Sequence, residues 1–310
     1  MPKDDIPPRT SMTQTAGGPP AATWSQQQQS SIFRIPPPLK RVFDKFPLVQ
    51  YGENELPLRA SRQKDQHVLH VFTTLEDAKK GRPSFNPGCL KWQAYLNFSG
   101  LEYSTIPSSN HGSPSGILPF MQPAAQAKES STIPDAVPSN KLRKWATTQT
   151  SKATEESEDL RYESYASLVN NALRKAWLYQ LYLHPSNASL VHKLYVAPCS
   201  STLPVQLAIY HQLRDAAESE LCKSSYSNTV SEEDIIRDAR SAFSALSELL
   251  GEGEWFFSQS QPSMLDASIF AYTHLILDEE LPWGSNGLAT QIAQHQNLVN
   301  HRNRVLDQYF

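Results

Sequence analysis

Cysteine is scarce, with only Cys89, Cys199 and Cys222 in 310 residues. Three thiols so far apart make neither a disulfide framework nor a zinc cluster, and they fit a reducing compartment. An excess of one charge is also missing: 28 Lys and Arg stand against 31 Asp and Glu, a formal net charge of −3. The cations are scattered rather than striped, so nothing argues for nucleic acid as a partner. No window reaches the ~18 consecutive apolar residues of a membrane-spanning helix. Glycine is rare, and none stands in a G-x-G-x-x-G or G-x-x-x-x-G-K-[ST] frame; H-E-x-x-H and C-x-x-C are absent too. Phosphate-cradling loops, zincin centres and dithiol redox centres are thereby excluded. Gly112-Ser-Pro-Ser-Gly116 has the frame of a nucleophile elbow, but Pro114 holds the nucleophile's place. The nine histidines are dispersed, with none at ligand spacing from Cys or carboxylates. His67 and His70 flank a strand and read as core or surface groups. N-x-S sequons at Asn97 and Asn187 follow no signal-peptide pattern and are expected to stay unmodified.

What is abundant is proline, and it divides the chain. Residues 1–138 hold 18 of the 23 prolines. Helix interiors reject proline, so strands and loops are expected first and helices afterwards. Residues 1–31 carry Pro pairs, Gly17-Gly18 and a four-Gln run, with too few large apolar groups to offset the entropy of ordering. They read as a disordered tail, and Asp4 and Asp5 argue against a mitochondrial presequence. Residues 32–60 are different, mixing Phe33, Ile35, Phe43, Phe46 and Leu48 with Arg34, Arg41 and Lys45 around three consecutive prolines. That composition suits an extended arm, packed on its own domain or docking on a partner or membrane surface.

A compact α/β unit is expected over 61–150. It begins with an apolar β-branched strand at 67–74, followed by a polar loop at 75–87. A helix near 89–98 comes next, with Leu90, Ala94 and Phe98 in register and Gly100 closing it. Strands at 101–106 and 116–121, a weak strand near Thr132-Ile133, and a helix at 141–147 capped from Pro138-Ser139-Asn140 complete the order β-α-β-β-β-α. This is the pattern of a thioredoxin-like domain. Residues 151–310 read as all-helical. A long helix is expected from about Ser157, with acidic groups at its start, and further helices span 204–221 and 232–250. A Ser263-x-x-Asp266 capping box precedes a helix apolar nearly all round, and a last helix covers 288–310.

Two spots invite chemistry. Cys89 opens the first helix of the thioredoxin-like unit, where the helix dipole lowers a thiol pKa and oxidoreductases place their reactive thiol. No second cysteine and no cation stand nearby, so a buried structural thiol is the better reading. Leu118-Pro119 occupies the position of the fold's cis proline, which exposes backbone to a bound peptide or thiol.

The two halves together resemble a glutathione-transferase-type fold. Pro87-Gly-Cys-Leu-Lys-Trp-Gln-Ala-Tyr-Leu96 and Ser113-Pro-Ser-Gly-Ile-Leu-Pro-Phe120 are similar to the first helix and third-strand motifs of the metaxins. The stretch Phe46–Arg59 resembles the fungal smaller metaxin-like subunits of the mitochondrial sorting and assembly machinery. The resemblance implies a peripheral subunit on the cytosolic face of the mitochondrial outer membrane, without cofactor or catalysis. It implies as partners the membrane-embedded β-barrel subunit, a second, larger metaxin-like subunit and β-barrel precursors, whose C-terminal sorting signal it receives. Departures from the enzyme pattern agree: Pro138 precedes Ser139 where glutathione binders carry Glu or Gln, and only Thr73 and Thr74 offer hydroxyls after the first strand. Strand addition at the edge strand 101–106, or in the groove by Pro119, is an expected mode of signal capture. Candidate contacts are therefore Arg41, Phe43 and Phe46 in the arm, with Leu118, Pro119 and Phe120. The competing expectations are a glutathione-dependent transferase or thiol enzyme using Cys89, and an adaptor unrelated to membranes.

Overall fold

The computed structural model describes residues 66–124, 135–150, 152, 157–223 and 230–310. The tail, the arm with Arg41, Phe43 and Phe46, and the weak strand expected near Thr132-Ile133 lie outside them. Strand β1 (His67–Val71) buries Val68, Leu69 and Val71 and lies in the middle of a four-stranded sheet, order β2-β1-β3-β4. β2 (Tyr103–Pro107) pairs with it in parallel, and β3 (Phe120–Gln122) runs antiparallel with Leu69 opposite Met121. β4 (Val137–Pro138) closes the far edge, where a proline costs no ladder bond.

The polar segment after β1 is not a loop throughout. It holds helix α1 (Leu75–Lys80), because Thr74 Oγ1 accepts the Asp77 N–H, acidic groups fill the first turn and lysines the last, and Gly81 closes it at φ 67°. Helix α2 (Pro87–Phe98) starts at a proline, where a missing N–H is no loss, with Asn86 as cap and Gly100 beyond its end at φ 65°. Helix α3 (Ser139–Gln149) departs from expectation at its start. The extended Pro138 occupies the cap position, Ser139 is already helical, and no side chain caps it.

The helical half begins later than its acidic approach suggests, at α4 (Tyr162–Leu168). From there helical backbone continues through a π-turn at Val169–Leu173, α5 (Arg174–Leu178) and a second π-turn at Tyr179–Leu183. A short 3₁₀ turn (Pro185–Asn187), α6 (Ala188–Val191) and another π-turn (His192–Val196) lead to α7 (Leu203–Lys223) and α8 (Glu232–Leu250). Helix α9 (Met264–Leu277) is buried on every side from Met264 to Ile276 and packs along α2 and the last helix, as its predominantly apolar sequence requires.

The expected capping box does more than cap. Asp266 Oδ2 accepts the N–H (2.8 Å) and hydroxyl (2.7 Å) of Ser263, while Oδ1 accepts the Phe256 N–H at 3.1 Å and meets His301 Nε2 at 3.0 Å. All these groups are buried, so the carboxylate ties three segments of the helical half together. The final helix is two, α10 (Gly287–Ile292) and α11 (Gln296–Tyr309). Asn297 accounts for the break: its amide donates to the carbonyls of Ser247 (2.8 Å) and Gly251 (3.1 Å), fixing the start of α11 on the end of α8.

Candidate functional site

The thiol at the head of α2 is closed off. Cys89 is fully buried, and that burial pushes its pKa up to about 12, opposite to the shift a reactive thiolate needs. The helix dipole is too weak to compensate, and among the described residues no cation acts on it. Its backbone N–H is spent on Asn86 Oδ1 (3.2 Å), and the Asn86 amide donates onward to Tyr195 Oη (3.2 Å) in the helical half. Around that link, Tyr195 meets Phe72 and Phe85 edge-on at 5.4 and 5.3 Å between ring centroids. The buried Ser84 donates its hydroxyl to the Phe72 carbonyl (2.5 Å) and its N–H to Gln93 Oε1 (2.7 Å). The place where a thiol enzyme opens to substrate is here a packed joint between the halves of the fold.

The hydroxyls are committed as well. Thr74 donates to Asp77 Oδ2 (2.5 Å) while accepting the Asp77 N–H, so it serves α1. Thr73 donates only a long bond, 3.4 Å, to the neighbouring carbonyl.

The structure gathers Leu118, Pro119 and Phe120 at the start of β3 and turns all three inward. The Leu118–Pro119 peptide is cis. Phe120 stacks on His70, 4.2 Å between ring centroids, and the Leu118 N–H donates to Asn110 Oδ1 at 3.0 Å. As contacts for a ligand these side chains are thus withdrawn into the core, because β3 needs them to seat against β1. The exposed apolar group at this bend is Ile117. Strand β2 does lie at an edge of the sheet among the described residues, with its side chains half-buried. His67 and His70 are likewise core-flanking groups: His67 accepts the Ala124 N–H (3.0 Å), and burial depresses the pKa of both imidazoles.

A cleft of 610 Å³ between the β1–α2 linker and the helical half went unmarked in the sequence. Its walls carry Lys80, Arg82, Lys193, His274, Asp278 and Arg302. Arg82 bridges the two sides, 2.8 Å from Glu280 and 3.7 Å from Asp77. Burial, helped by the nearby Arg302 charge, pulls the His274 pKa down to about 3, so this imidazole is neutral. Burial raises the Asp278 pKa. The residues come from four separate segments, which is why no local spacing announced them. The mixed charges suit a polar or peptide-like ligand rather than a free anion. Among the described residues, no group of His, Cys, Asp and Glu is placed to hold a metal ion.

Two family models match the chain: the glutathione S-transferase N-terminal domain over residues 87–187 and the glutathione S-transferase C-terminal domain over 239–305. Metaxin-2 of Mus musculus is 26% identical over 231 residues, 73% of this chain and 83% of that protein. The mitochondrial outer membrane import complex protein METAXIN of Arabidopsis thaliana is 25% identical over 240 residues, 74% of this chain and 70% of that protein. Glutathione transferase GSTFuA2 from Phanerochaete chrysosporium superposes with a TM-score of 0.47 at 12% identity, covering 79% of this chain and 99% of that structure. With the mixed sheet, the Ser263–Asp266 box and the buried α9 already in place, the chain is similar to the metaxins over about three-quarters of its length and carries the two-part fold of the glutathione transferases.

Proposed function

We propose that the chain is a non-enzymatic, peripheral subunit of the machinery that sorts and assembles β-barrel proteins in the mitochondrial outer membrane. The observation that carries this reading is the packed joint around Cys89, in a chain whose metaxin relatives match about three-quarters of its length. The fold retains its frame while the thiol and hydroxyls of a catalytic centre serve packing and capping. The name of the Arabidopsis relative puts that protein in an outer-membrane import complex, and the same placement is proposed here. No helix among the described residues is long and apolar enough to cross a membrane, which fits peripheral attachment.

In this reading the chain is the smaller metaxin-like subunit of the fungal type, on the cytosolic face. It is organised as a tail (1–31), a docking arm (32–60), a thioredoxin-like domain (61–150) and a helical domain (151–310). It binds the membrane-embedded barrel subunit and a larger metaxin-like partner, the arm contributing Arg41, Phe43 and Phe46. The C-terminal sorting signal of a precursor arrives in extended form and adds to the edge strand β2. Leu118, Pro119 and Phe120 support that edge from within by fixing β3 on β1. The test is affinity purification of the tagged full chain from mildly solubilised mitochondrial membranes. Recovery of an outer-membrane barrel protein and a second metaxin-like chain is expected. Recovery of the chain alone from the soluble fraction, together with retention on glutathione resin, would favour a transferase instead.

A further inference from the structure

The 610 Å³ cleft between the β1–α2 linker and the helical half has the size of a small-ligand pocket. Its charges fall into two sets. Arg82 is spent on Glu280 (2.8 Å) and Asp77 (3.7 Å), and Lys80 on Glu76 (2.6 Å). Arg302 and Asp278 are not spent. Among the described residues Arg302 makes no ion pair, its Nη1 donating to Asn303 Oδ1 (2.9 Å), and Asp278 accepts only the Glu280 N–H (3.0 Å). Each feels the other's charge, yet the two side chains do not close on one another.

Two polar atoms of the same wall are also without a partner. His274, 6% exposed, stands one helical turn before Asp278. Its Nδ1 and the Arg302 Nε are buried with no hydrogen-bond partner among the described residues. Native structures hold few such groups, because each gives up the hydrogen bond it had in water. A cation, a carboxylate and a neutral imidazole therefore share one wall of a cleft with capacity left over.

Sign and shape decide what fills that capacity. Asp77, Asp278 and Glu280 on the lining disfavour a further carboxylate, which counts against glutathione with its two. A hydrocarbon chain offers nothing to Asp278 or Arg302, and a helix has spent its amides on itself. An extended polypeptide carries a donor and an acceptor at every residue and no net charge along its main chain. Leu194, Leu281, Leu306 and Phe310 line the same cleft and suit its apolar side chains.

We propose that this cleft is a peptide-binding site, taking an extended, uncharged stretch of another protein whose amide N–H donates to the Asp278 carboxylate and whose carbonyl accepts from the Arg302 guanidinium. The half-buried guanidinium turns on its long stem to present Nε, and His274 Nδ1 meets the next polar group along. Both main-chain contacts are charge-assisted, the stronger class of hydrogen bond. The inference goes beyond the functional reading and does not rest on it.

The experiment measures, by fluorescence anisotropy, binding of the full chain to a pool of rhodamine-tagged, C-amidated hexapeptides with uncharged residues at every position. Saturable binding is expected, undisturbed by glutathione. The same pool N-methylated at every amide, which removes the donors and keeps the side chains, is expected to bind at least about tenfold more weakly. Asp278→Asn and Arg302→Gln are each expected to weaken binding about tenfold while keeping the thermal midpoint. The N-methyl comparison uses the wild-type chain, so it stands even where a variant fails to fold. Absence of saturable binding, displacement by glutathione or equal binding of the N-methylated pool would overturn the inference. So would folded variants that bind like the wild type, since the peptide would then sit elsewhere, as on the edge of β2. None of these results bears on which proteins co-purify with the chain, so failure here and failure of the functional reading are distinguishable.

Discussion

At the scale of single residues, two buried titratable groups set how the chain meets thiol reagents and how it responds to pH. Cys89, with its pKa pushed up to about 12, is expected to resist iodoacetamide at pH 8 in the native chain, while exposed Cys199 is alkylated. Peptide mapping after brief labelling decides it, and modification of Cys89 at a rate near that of Cys199 would contradict the packed joint. His274 works in the opposite sense from a paired histidine. Its folded pKa, about 3, lies below its ordinary 6.5, so as pH falls the unfolded chain takes up the extra proton first. The stability this residue allows is complete above pH 6.5 and is lost as pH drops towards 3, at about 1.4 kcal/mol per unit. His67 and His70, depressed by burial, add to that loss. Urea midpoints at pH 7.5 and 5 are expected to differ less in His274→Gln than in the wild type, and an equal difference would count against this assignment.

At the scale of elements, local signals were legible where a helix is set by its own ends and faces. The limits of α8 and the Ser263–Asp266 box stood in the sequence because capping and amphipathicity act over a few residues. Helix α1 also had its signal, Thr74 three residues before Asp77 with lysines at the far end, but its polar surface hid it from a search for apolar periodicity. The π-turns of the α4–α5 run and the break before α11 had none, since they answer to distant groups such as Asn297 reaching α8. Asn187 illustrates the same limit. Its sequon looks like a surface feature, yet the side chain is buried and bonded to the Gln180 and Ser285 carbonyls and the N–H groups of Gly284 and Ser285. The carboxylate of Asp266 is the comparable hub for α9 and α11. Replacing it by Ala strands the Ser263 and Phe256 N–H groups and the His301 ring, at an expected cost of roughly 3–5 kcal/mol. Denaturant unfolding checks this, and a loss under about 1 kcal/mol would show that the hub is replaceable by water.

At the scale of the whole molecule, the fold was readable from the order of its elements, whereas the candidate site was readable only in part. Leu118 and Phe120 announce themselves as apolar and turn out to face inward, since the bend and the short strand seated on β1 bury Leu118, Pro119, Phe120 and Met121 in succession. The cleft between the halves depends on which surfaces the packing leaves uncovered, and exposure is not a property of spacing. What the assembled structure adds is a division of labour. A closed joint surrounds Cys89, and an edge strand lies on one side of the sheet.

The most direct measurement is assembly of a radiolabelled β-barrel precursor into mitochondria depleted of this chain and then resupplied with wild type or with Cys89→Ala, a small apolar replacement for a buried thiol. Assembly is expected to fall on depletion and to be restored alike by both chains. Normal assembly without the chain would contradict the proposed role in assembly. A folded Cys89→Ala chain as defective as depletion would contradict the proposed non-catalytic role.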